Sequence, residues 1–289
     1  MKILIAGGTG FIGNTLIPFL SQKGHELNIL TRRERADVGN MHYYQWDVEK
    51  GYLDLHALDG VDAVLNMTGA NIGEKHWTAD RKYEILNSRV KPLELLLKCI
   101  LESGNRIEVL ISSSAVGYYG AVTRECVFTE KDSNGTDFPA YVCRLWEEAA
   151  GKFKEVADRV VILRKGVVIG KDGGIYLKLK PLASLGISVA LGSGKQYFPW
   201  VCMDDLIRIY NHILENGEIN GVFNVVANEH LTMNEFSEKM LHSFNRRKLL
   251  PNIPEWIIKV LFQERSQMLL QGSKVSNEKI TSTGFDFLH

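Results

Sequence analysis

Cysteine is scarce in this chain of 289 residues. Its four thiols, Cys99, Cys126, Cys143 and Cys202, are not paired at metal-site spacing. So few, so spread, exclude a disulfide-built scaffold and point to a reducing compartment with incidental thiols, Cys99 packing within an apolar helical stretch. No grouping of His, Cys and carboxylates suggests a metal. Net charge is lacking too: Lys plus Arg and Asp plus Glu both number 34. Bulk electrostatics therefore give no support to a nucleic-acid or membrane-surface partner. No run approaches the roughly 18 apolar residues of a membrane span. The first residues read as a core strand, not as a charged and then apolar leader. A cytoplasmic protein is expected. Repeats and disordered tracts are missing, and 45% hydrophobic with 24% charged residues is an ordinary globular balance. The length suits one large domain, or one with a small appendage.

Glycine, in contrast, is plentiful, and its first cluster organises the chain. The apolar run Ile3-Leu4-Ile5-Ala6 leads into Gly7-Gly8-Thr9-Gly10-Phe11-Ile12-Gly13, and a helical pattern begins at Asn14. In a strand–turn–helix of this kind Gly7 permits the tight turn, Gly10 the close approach of a pyrophosphate, and Gly13 close helix–strand packing. The helix start, with Thr9, Phe11 and Ile12 around it, offers free N–H groups and a positive dipole end to phosphate. The alternative is a glycine-rich loop with no ligand, but strand before and helix after favour a dinucleotide.

The second strand, residues 26–30, ends in Thr31-Arg32-Arg33 rather than in the acid that holds a ribose 2′-OH in NAD binders. Arginine there suits a 2′-phosphate, so NADP(H) is favoured over NAD(H), with Arg32 the nearer of the pair; a solvated basic turn is the plainer reading. Asp47, closing a third strand, either faces adenine or caps a turn. A fourth strand at residues 62–67, apolar enough for a parallel sheet, ends at Met67-Thr68-Gly69-Ala70-Asn71. Small residues at that edge let backbone lie against a ligand. A long helix is expected over residues 79–102, with Glu84 and Arg89 as ordinary surface charges by default. The fifth strand, residues 107–111, runs into Ser112-Ser113-Ser114, either hydroxyls that polarise a carbonyl or alcohol or a Ser-rich turn.

Residues 121–138 read as a loop bordering the substrate, and residues 140–156 as a helix. Lys171-Asp172-Gly173-Gly174 reads as a turn, after which strand–helix alternation loosens. Asp204 and Asp205 open a helix, residues 221–226 form a strand, and Thr232-x-x-Glu235 has capping-box form. The fold class expected is α/β: a Rossmann-type doubly wound parallel sheet over residues 1–228, with 170–202 contributing to a smaller substrate lobe, and 229–289 a small C-terminal helical domain.

Several segments together resemble the extended short-chain dehydrogenases/reductases of the epimerase/dehydratase branch, specifically the atypical SDR39U1-like subfamily. They are residues 7–13, Asn66-Met67-Thr68-Gly69-Ala70-Asn71-Ile72, Glu84-Ile85-Leu86-Asn87-Ser88-Arg89-Val90, Ser114-Ala115-Val116-Gly117-Tyr118-Tyr119-Gly120, Trp146-Glu147, residues 163–168, residues 192–196, Asp204-Asp205 and Gly284-Phe285. The resemblance implies NADP(H) in the cleft, Thr31 and Arg32 at the adenosine phosphate, Met67 and Thr68 beside the cofactor, and Val168 near the nicotinamide half. It lifts Glu84 and Arg89 to cofactor contacts and makes the stretch from about residue 240 look like the subfamily's small domain of unknown function.

The chain departs from the broader family where chemistry is done. The Tyr-x-x-x-Lys pair, an acid/base tyrosine with a lysine that lowers its pKa, is missing: the nearest helix tyrosine is Tyr141, four residues on stands Leu145, and the first lysine is Lys152. A tyrosine of pKa about 10 is a poor base near neutrality without a cation. Lys165 stands where a small hydroxyl residue is usual, either replacing the lost cation or only binding phosphate, and Cys202 where histidine is usual. The expectation is an NADP(H)-dependent oxidoreductase or epimerase for a small polar substrate such as a nucleotide sugar. Ser114 would bond the reacting oxygen, Tyr118, Tyr119 or Tyr141 would supply the proton, and a homodimer would form through long helices. The other reading is a cofactor-holding sensor with little catalysis.

Overall fold

The computed structural model describes residues 1–171 and 173–289; Asp172, in the turn read at residues 171–174, lies outside them. The first strand, β1 (Lys2–Ala6), is inaccessible from Ile3 onward, as a strand between two helical layers must be. Helix α1 (Gly13–Gln22) follows, then β2 (Glu26–Thr31), β3 (Met41–Asp47), a short β4 (Tyr52–Leu53) and β5 (Ala63–Asn66). Helix α2 (Ala79–Ser103) is capped at its start by the Thr78 side chain, which accepts from the Arg81 amide, and is closed by Gly104 in the left-handed region. Next come β6 (Ile107–Ala115), β7 (Val127–Phe128), α3 (Phe138–Gly151), β8 (Ala157–Lys165), β9 (Val167–Gly170) and α4 (Gly174–Ser184). The chain continues with β10 (Trp200–Cys202), α5 (Met203–Glu215), β11 (Gly221–Val225), α6 (Met233–Ser243), α7 (Glu255–Phe262), α8 (Ser266–Leu270), β12 (Lys274–Val275) and α9 (Glu278–Thr281).

Eight strands form one sheet in the order β11-β8-β6-β5-β1-β2-β3-β4, parallel throughout except for the β3–β4 pair. The order reverses between β1 and β5, the topological switch point at which doubly wound sheets bind ligands. One hydrophobic cluster lies between the sheet and α1 with α5; another lies between the sheet and α2 with α3. Alternation along the strands decides which face each polar residue takes at the carboxyl edge. In β6 Val109 and Ile111 join the first cluster and Leu110 the second; in β8 Val161 and Leu163 join the first and Ile162 the second. By the same parity Ser113 and Lys165 belong to the α1–α5 face, and Ser112, Ser114 and Arg164 to the α2–α3 face.

The serine run is strand: β6 extends through Ala115 rather than ending at residue 111, with all three serines buried. In the stretch where alternation loosened stands α4. Its Ala183 joins Val189, Ala190, Leu231, Met233, Phe236, Met240 and Leu241 in a separate cluster. The capping box at Thr232 and Glu235 has both arms in place. The C-terminal stretch packs back on the rest of the chain: β12 pairs with β7 in a separate two-stranded sheet, and Ile280 and Phe285 enter the cluster under α5. Asp205, fully buried, accepts from the amides of Leu288 and His289 at 2.9 and 3.1 Å. No described helix is long and apolar enough to cross a membrane.

Candidate functional site

The loop between β1 and α1 shows why each of its glycines is glycine. Gly7 has φ of +83°, and a Cβ there would lie 2.7 Å from the Met67 carbonyl carbon, so the loop after β5 presses against it. A Cβ at Gly13 would lie 2.1 Å from the Gly8 carbonyl oxygen. Gly10 differs: a Cβ there meets only the Gly7 carbonyl oxygen, at 3.3 Å. The chain crowds Gly7 and Gly13 hard and touches Gly10 through one backbone oxygen only, so Gly10 is the least obstructed of the three, a shape that fits a pyrophosphate. Helix α1 begins with no side-chain cap, and among the described residues the Phe11 and Ile12 amides have no acceptor outside regular structure. Uncapped amides at a helix start are an anion site in waiting. The Phe11 ring is seated against glycines: a Cβ on Gly170, Gly173 or Gly174 would approach it within 3.0, 2.3 or 2.8 Å. Phe11, Ile12, Met67 and Val168 all pack against the same cluster.

At the end of β2 the Thr31 hydroxyl donates to the Arg33 carbonyl and accepts from the Arg33 amide, 3.0 and 3.2 Å. This local turn throws Arg32 and Arg33 outward, both exposed, and neither has a carboxylate in ion-pair range among the described residues. Across the switch point the Asn66 side chain accepts from the Thr68 hydroxyl at 2.7 Å. Ser88, in the third turn of α2, accepts from the Ala70 amide at 2.9 Å. Arg89 lies over the Trp146 ring at 5.1 Å and donates to the Ile85 carbonyl at 2.9 Å. Its guanidinium is 3.0 Å from where a Cβ on Gly69 would sit. Burial first, and then the nearby Arg81 charge, push Arg89 below the usual guanidinium range. Among the described residues no carboxylate pairs with it, so an anion from outside the chain suits the place. Glu84 is turned outward and accepts from Arg81 at 2.6 Å, while Arg81 also holds the Asn71 carbonyl. The structure therefore brings Arg89, but not the Glu84 carboxylate, toward the Gly69 backbone.

Beyond the switch point the polar groups divide by face. On the α2–α3 side Arg164, almost wholly buried, holds Glu147 through two parallel bonds of 2.9 and 2.8 Å. Glu147 also accepts from the Ser114 hydroxyl at 2.6 Å. Arg164 donates to the Tyr119 hydroxyl at 3.0 Å, Tyr119 donates to Asn224 at 2.6 Å, and the guanidinium stacks 3.4 Å over the Tyr118 ring. Burial pushes the Tyr119 phenol up to about 12 despite Arg164. Tyr141 stands apart on the exposed face of α3. The face of α3 turned to Ser114 instead carries Cys143 and Glu147, an i, i+4 pair. Burial, then the Glu147 charge, raise the Cys143 thiol to about 12, which keeps it protonated. Sequence reasoning registered Glu147 only as part of a motif and did not place Cys143 in the site. Their helical phase with the buried Trp146 and Ala150 is the signal that finds them.

On the α1–α5 side the Lys165 ammonium donates to the Ser113 hydroxyl at 2.7 Å, and Ser113 lies 3.3 Å from the buried Tyr210 hydroxyl. Burial first, and the Arg89 charge second, bring Lys165 down to about 7. Ser113 was legible only as one of three serines that could polarise a carbonyl or alcohol, and Tyr210 not at all, since a core tyrosine inside an amphipathic helix gives no local signal. Two further features lie at the margins. The loop at residues 192–196 is bonded internally, Gln196 reaching the Leu191 and Leu269 carbonyls. Folding also brings donor atoms of Cys202, Asp204 and His289 within 4.8 Å of one another, a grouping invisible in the sequence because His289 lies 85 residues beyond Asp204; Asp204 and His289 are exposed. A cavity of about 260 Å³ lies between residues 77, 121 and 136–139 and the segment 264–268, walled by Trp77, Phe138, Asp137, Glu264 and Met268. Arg265 ties that wall to the Gly73 carbonyl at 3.0 Å.

A doubly wound sheet with an uncapped glycine cradle at its switch point, and beside it an arginine over the Gly69 backbone that has no carboxylate partner among the described residues, defines a Rossmann-type dinucleotide-binding protein. Comparison with known proteins narrows the class. Residues 3–226 match the NAD dependent epimerase/dehydratase family and residues 253–289 a domain of unknown function, DUF1731. An epimerase family protein of Mycobacterium bovis, Mb2239, is 34% identical over 288 residues, covering 99% of this chain and 93% of its own. The crystal structure of human epimerase family protein SDR39U1 with NADPH superposes with a TM-score of 0.88 at 30% identity, covering 100% of this chain and 95% of that one. A nucleoside-diphosphate sugar epimerase from Corynebacterium glutamicum gives a TM-score of 0.79 at 27% identity, covering 100% of this chain and 56% of that one. This chain belongs to the NAD dependent epimerase/dehydratase family, among the SDR39U1-type epimerase family proteins.

Proposed function

We propose that the chain is an NADP(H)-dependent oxidoreductase or epimerase acting on a small polar carbonyl or alcohol, with nucleotide sugars the first class to test. The observation that carries the reading is the Gly10 backbone, which a single carbonyl oxygen of the chain approaches at 3.3 Å, in a cradle whose other glycines are pressed far harder by the chain itself. When bound, the nicotinamide supplies or accepts the hydride. The Phe11 and Ile12 amides and Arg89 hold phosphate, the backbone at Met67, Thr68 and Gly69 lies along the cofactor, and Val168 packs toward the nicotinamide half. Thr31 sets the turn that presents Arg32 to the 2′-phosphate. The human relative's bound NADPH supports this choice, and the Corynebacterium relative's name supports the substrate class. The cavity walled by Trp77 and Phe138 is of a size to take part of such a substrate. A homodimer through the long helices is the assembly to test by sedimentation.

A second reading, a cofactor-holding sensor with little turnover, is favoured by one observation: Ser114 and Tyr119 already spend their hydroxyls on Glu147 and Asn224. Nicotinamide fluorescence titration tests the cofactor assignment. NADPH should bind more tightly than NADH, and Arg32→Ala should weaken NADPH by about 10- to 100-fold, the worth of a hydrogen bond to a charged group, leaving NADH unchanged. Equal losses for both cofactors would remove Arg32 from the 2′-phosphate. Loss of NADPH absorbance with sugar nucleotides and simple carbonyls, and product analysis for an epimerase, separate enzyme from sensor. Turnover untouched by Ser114→Ala would take Ser114 out of the chemistry.

A further inference from the structure

The pair that normally moves the proton in this family is replaced, at the corresponding i, i+4 spacing on the cleft face of α3, by a protonated thiol and a carboxylate already committed to Arg164. The other face of the sheet edge carries a group that is not so committed. Lys165 is the last residue of β8, beside Ala115 of β6 and Val225 of β11. Both β6 and β8 lie in the second half of the sheet, over which the second nucleotide of a dinucleotide sits. The backbone that follows Lys165 is fixed. The Gly166 amide donates to the Val225 carbonyl and the Val167 amide to the Pro199 carbonyl, 3.0 and 2.8 Å, and a Cβ on Gly166 would lie 2.7 Å from the Pro199 oxygen. The head is aimed by Ser113, itself backed by Tyr210 of α5. The charged group facing it from α2 is Arg89. Cys143 of α3 is protonated and Glu147 is bonded to Arg164, so neither neutralises it, and among the described residues Lys165 has no carboxylate in ion-pair range.

We propose that Lys165 is the acid–base group of hydride transfer in this chain, with Ser113 and Tyr210 as its positioning residues. The proposal rests on the functional reading above. In reduction, the hydride pair from NADPH forms the new C–H bond at the carbonyl carbon, the C=O π pair moves onto oxygen, and one N–H bond of the Lys165 ammonium breaks to protonate that oxygen. The neutral amine remains, and oxidation runs the same steps backward. An amine whose pKa is brought near 7 is suited to both directions at neutral pH.

The test reads the amine directly. In protein labelled with 13C at lysine Cε, one resonance, absent from Lys165→Arg, should titrate with a midpoint near 7 while other lysines titrate near their ordinary values. Oxidised nicotinamide carries a positive ring and the reduced form does not. The midpoint should therefore lie at least half a pH unit lower with NADP+ bound than with NADPH. Ser113→Ala should move the midpoint without abolishing NADPH binding. No lysine titrating below about 9, or a midpoint indifferent to the oxidation state of bound cofactor, overturns the proposal while leaving the cofactor assignment standing. Failure of NADPH and NADP+ to bind at all overturns both.

Discussion

A methyl group added at Gly13 would be driven into the Gly8 carbonyl, 2.1 Å away, whereas one added at Gly10 would meet protein only at 3.3 Å. The two glycines therefore answer to different partners, and substitution separates them. Gly13→Ala should cost about 3 kcal/mol of stability, because backbone rather than a flexible side chain must give way. Gly10→Ala should cost clearly less stability than Gly13→Ala, its one contact being 3.3 Å rather than 2.1 Å, and weaken NADPH at least tenfold. A Gly10→Ala protein that binds NADPH normally would mean that the space beside Gly10 is not the phosphate's. The sequence motif names both glycines alike; only the folded loop tells a packing glycine from a binding one. Lys165 shows a residue-scale effect with a definite sign. Its pKa is near 7 in the fold against an ordinary 10.5. The stability associated with its neutral form is present in full above about pH 10.5 and is lost as pH falls toward 7. Lys165→Met should raise the Tm of the cofactor-free protein most at or below pH 7, with the advantage shrinking toward pH 10. A constant advantage across that range would mean an amine that is not perturbed.

At the level of elements, α3 is where sequence and structure part furthest. The strand–turn–helix, the long α2, the parallel strands and the α5 start were legible, because apolar runs, glycine positions and caps are local signals. The face of α3 was not: the tyrosine sought by the family pattern, Tyr141, points to solvent, and helical phase brings Cys143 and Glu147 inward. Besides the apolar cluster of Trp146, Ala149 and Ala150 with Val160 and Ile162, the Arg164–Glu147 pair joins α3 to β8, with side chains only 4% and 10% exposed. Removing one partner strands the other charge, so Glu147→Leu alone or Arg164→Met alone should cost about 3–5 kcal/mol. Replacing both, Glu147→Leu with Arg164→Met, should recover most of that loss, since the desolvation cost disappears with the charges. Urea unfolding of the two singles and the double closes the cycle; a double variant as unstable as the sum of the singles would show that the pair is not coupled. The pairing of Ser113 with Tyr210 was illegible for another reason: the two meet only because β6 runs on through the serines and α5 packs against that face of the sheet.

Across the whole molecule the chain ends where it began. Ile280 and Phe285 share one buried cluster with Ile3 and Ile5 of β1 and with Leu206 and Tyr210 of α5, and Asp205 holds the amides of Leu288 and His289. The cluster of α4 and α6 is a different one, containing Met233, Phe236 and Met240. Residues close to the end of the sequence are therefore bound to the stability of the sheet, and residues nearer its middle to a separate core. Phe285 is 4% exposed, stands 5.0 Å from Phe287 with rings edge to face, and lies under the Arg208 guanidinium. Phe285→Ala should cost about 3–5 kcal/mol and lower the main unfolding transition of the protein, the one followed by loss of sheet signal. Phe236→Ala, of comparable size but in the other cluster, should lower a separate, smaller transition or broaden the foot of the main one. Calorimetry of the two variants distinguishes them. If Phe285→Ala leaves the main transition in place and shifts only a minor one, then the C-terminal stretch folds as its own unit and its docking under α5 contributes little to the sheet. If both variants move a single transition together, the two clusters unfold as one and the smaller lobe has no independent stability.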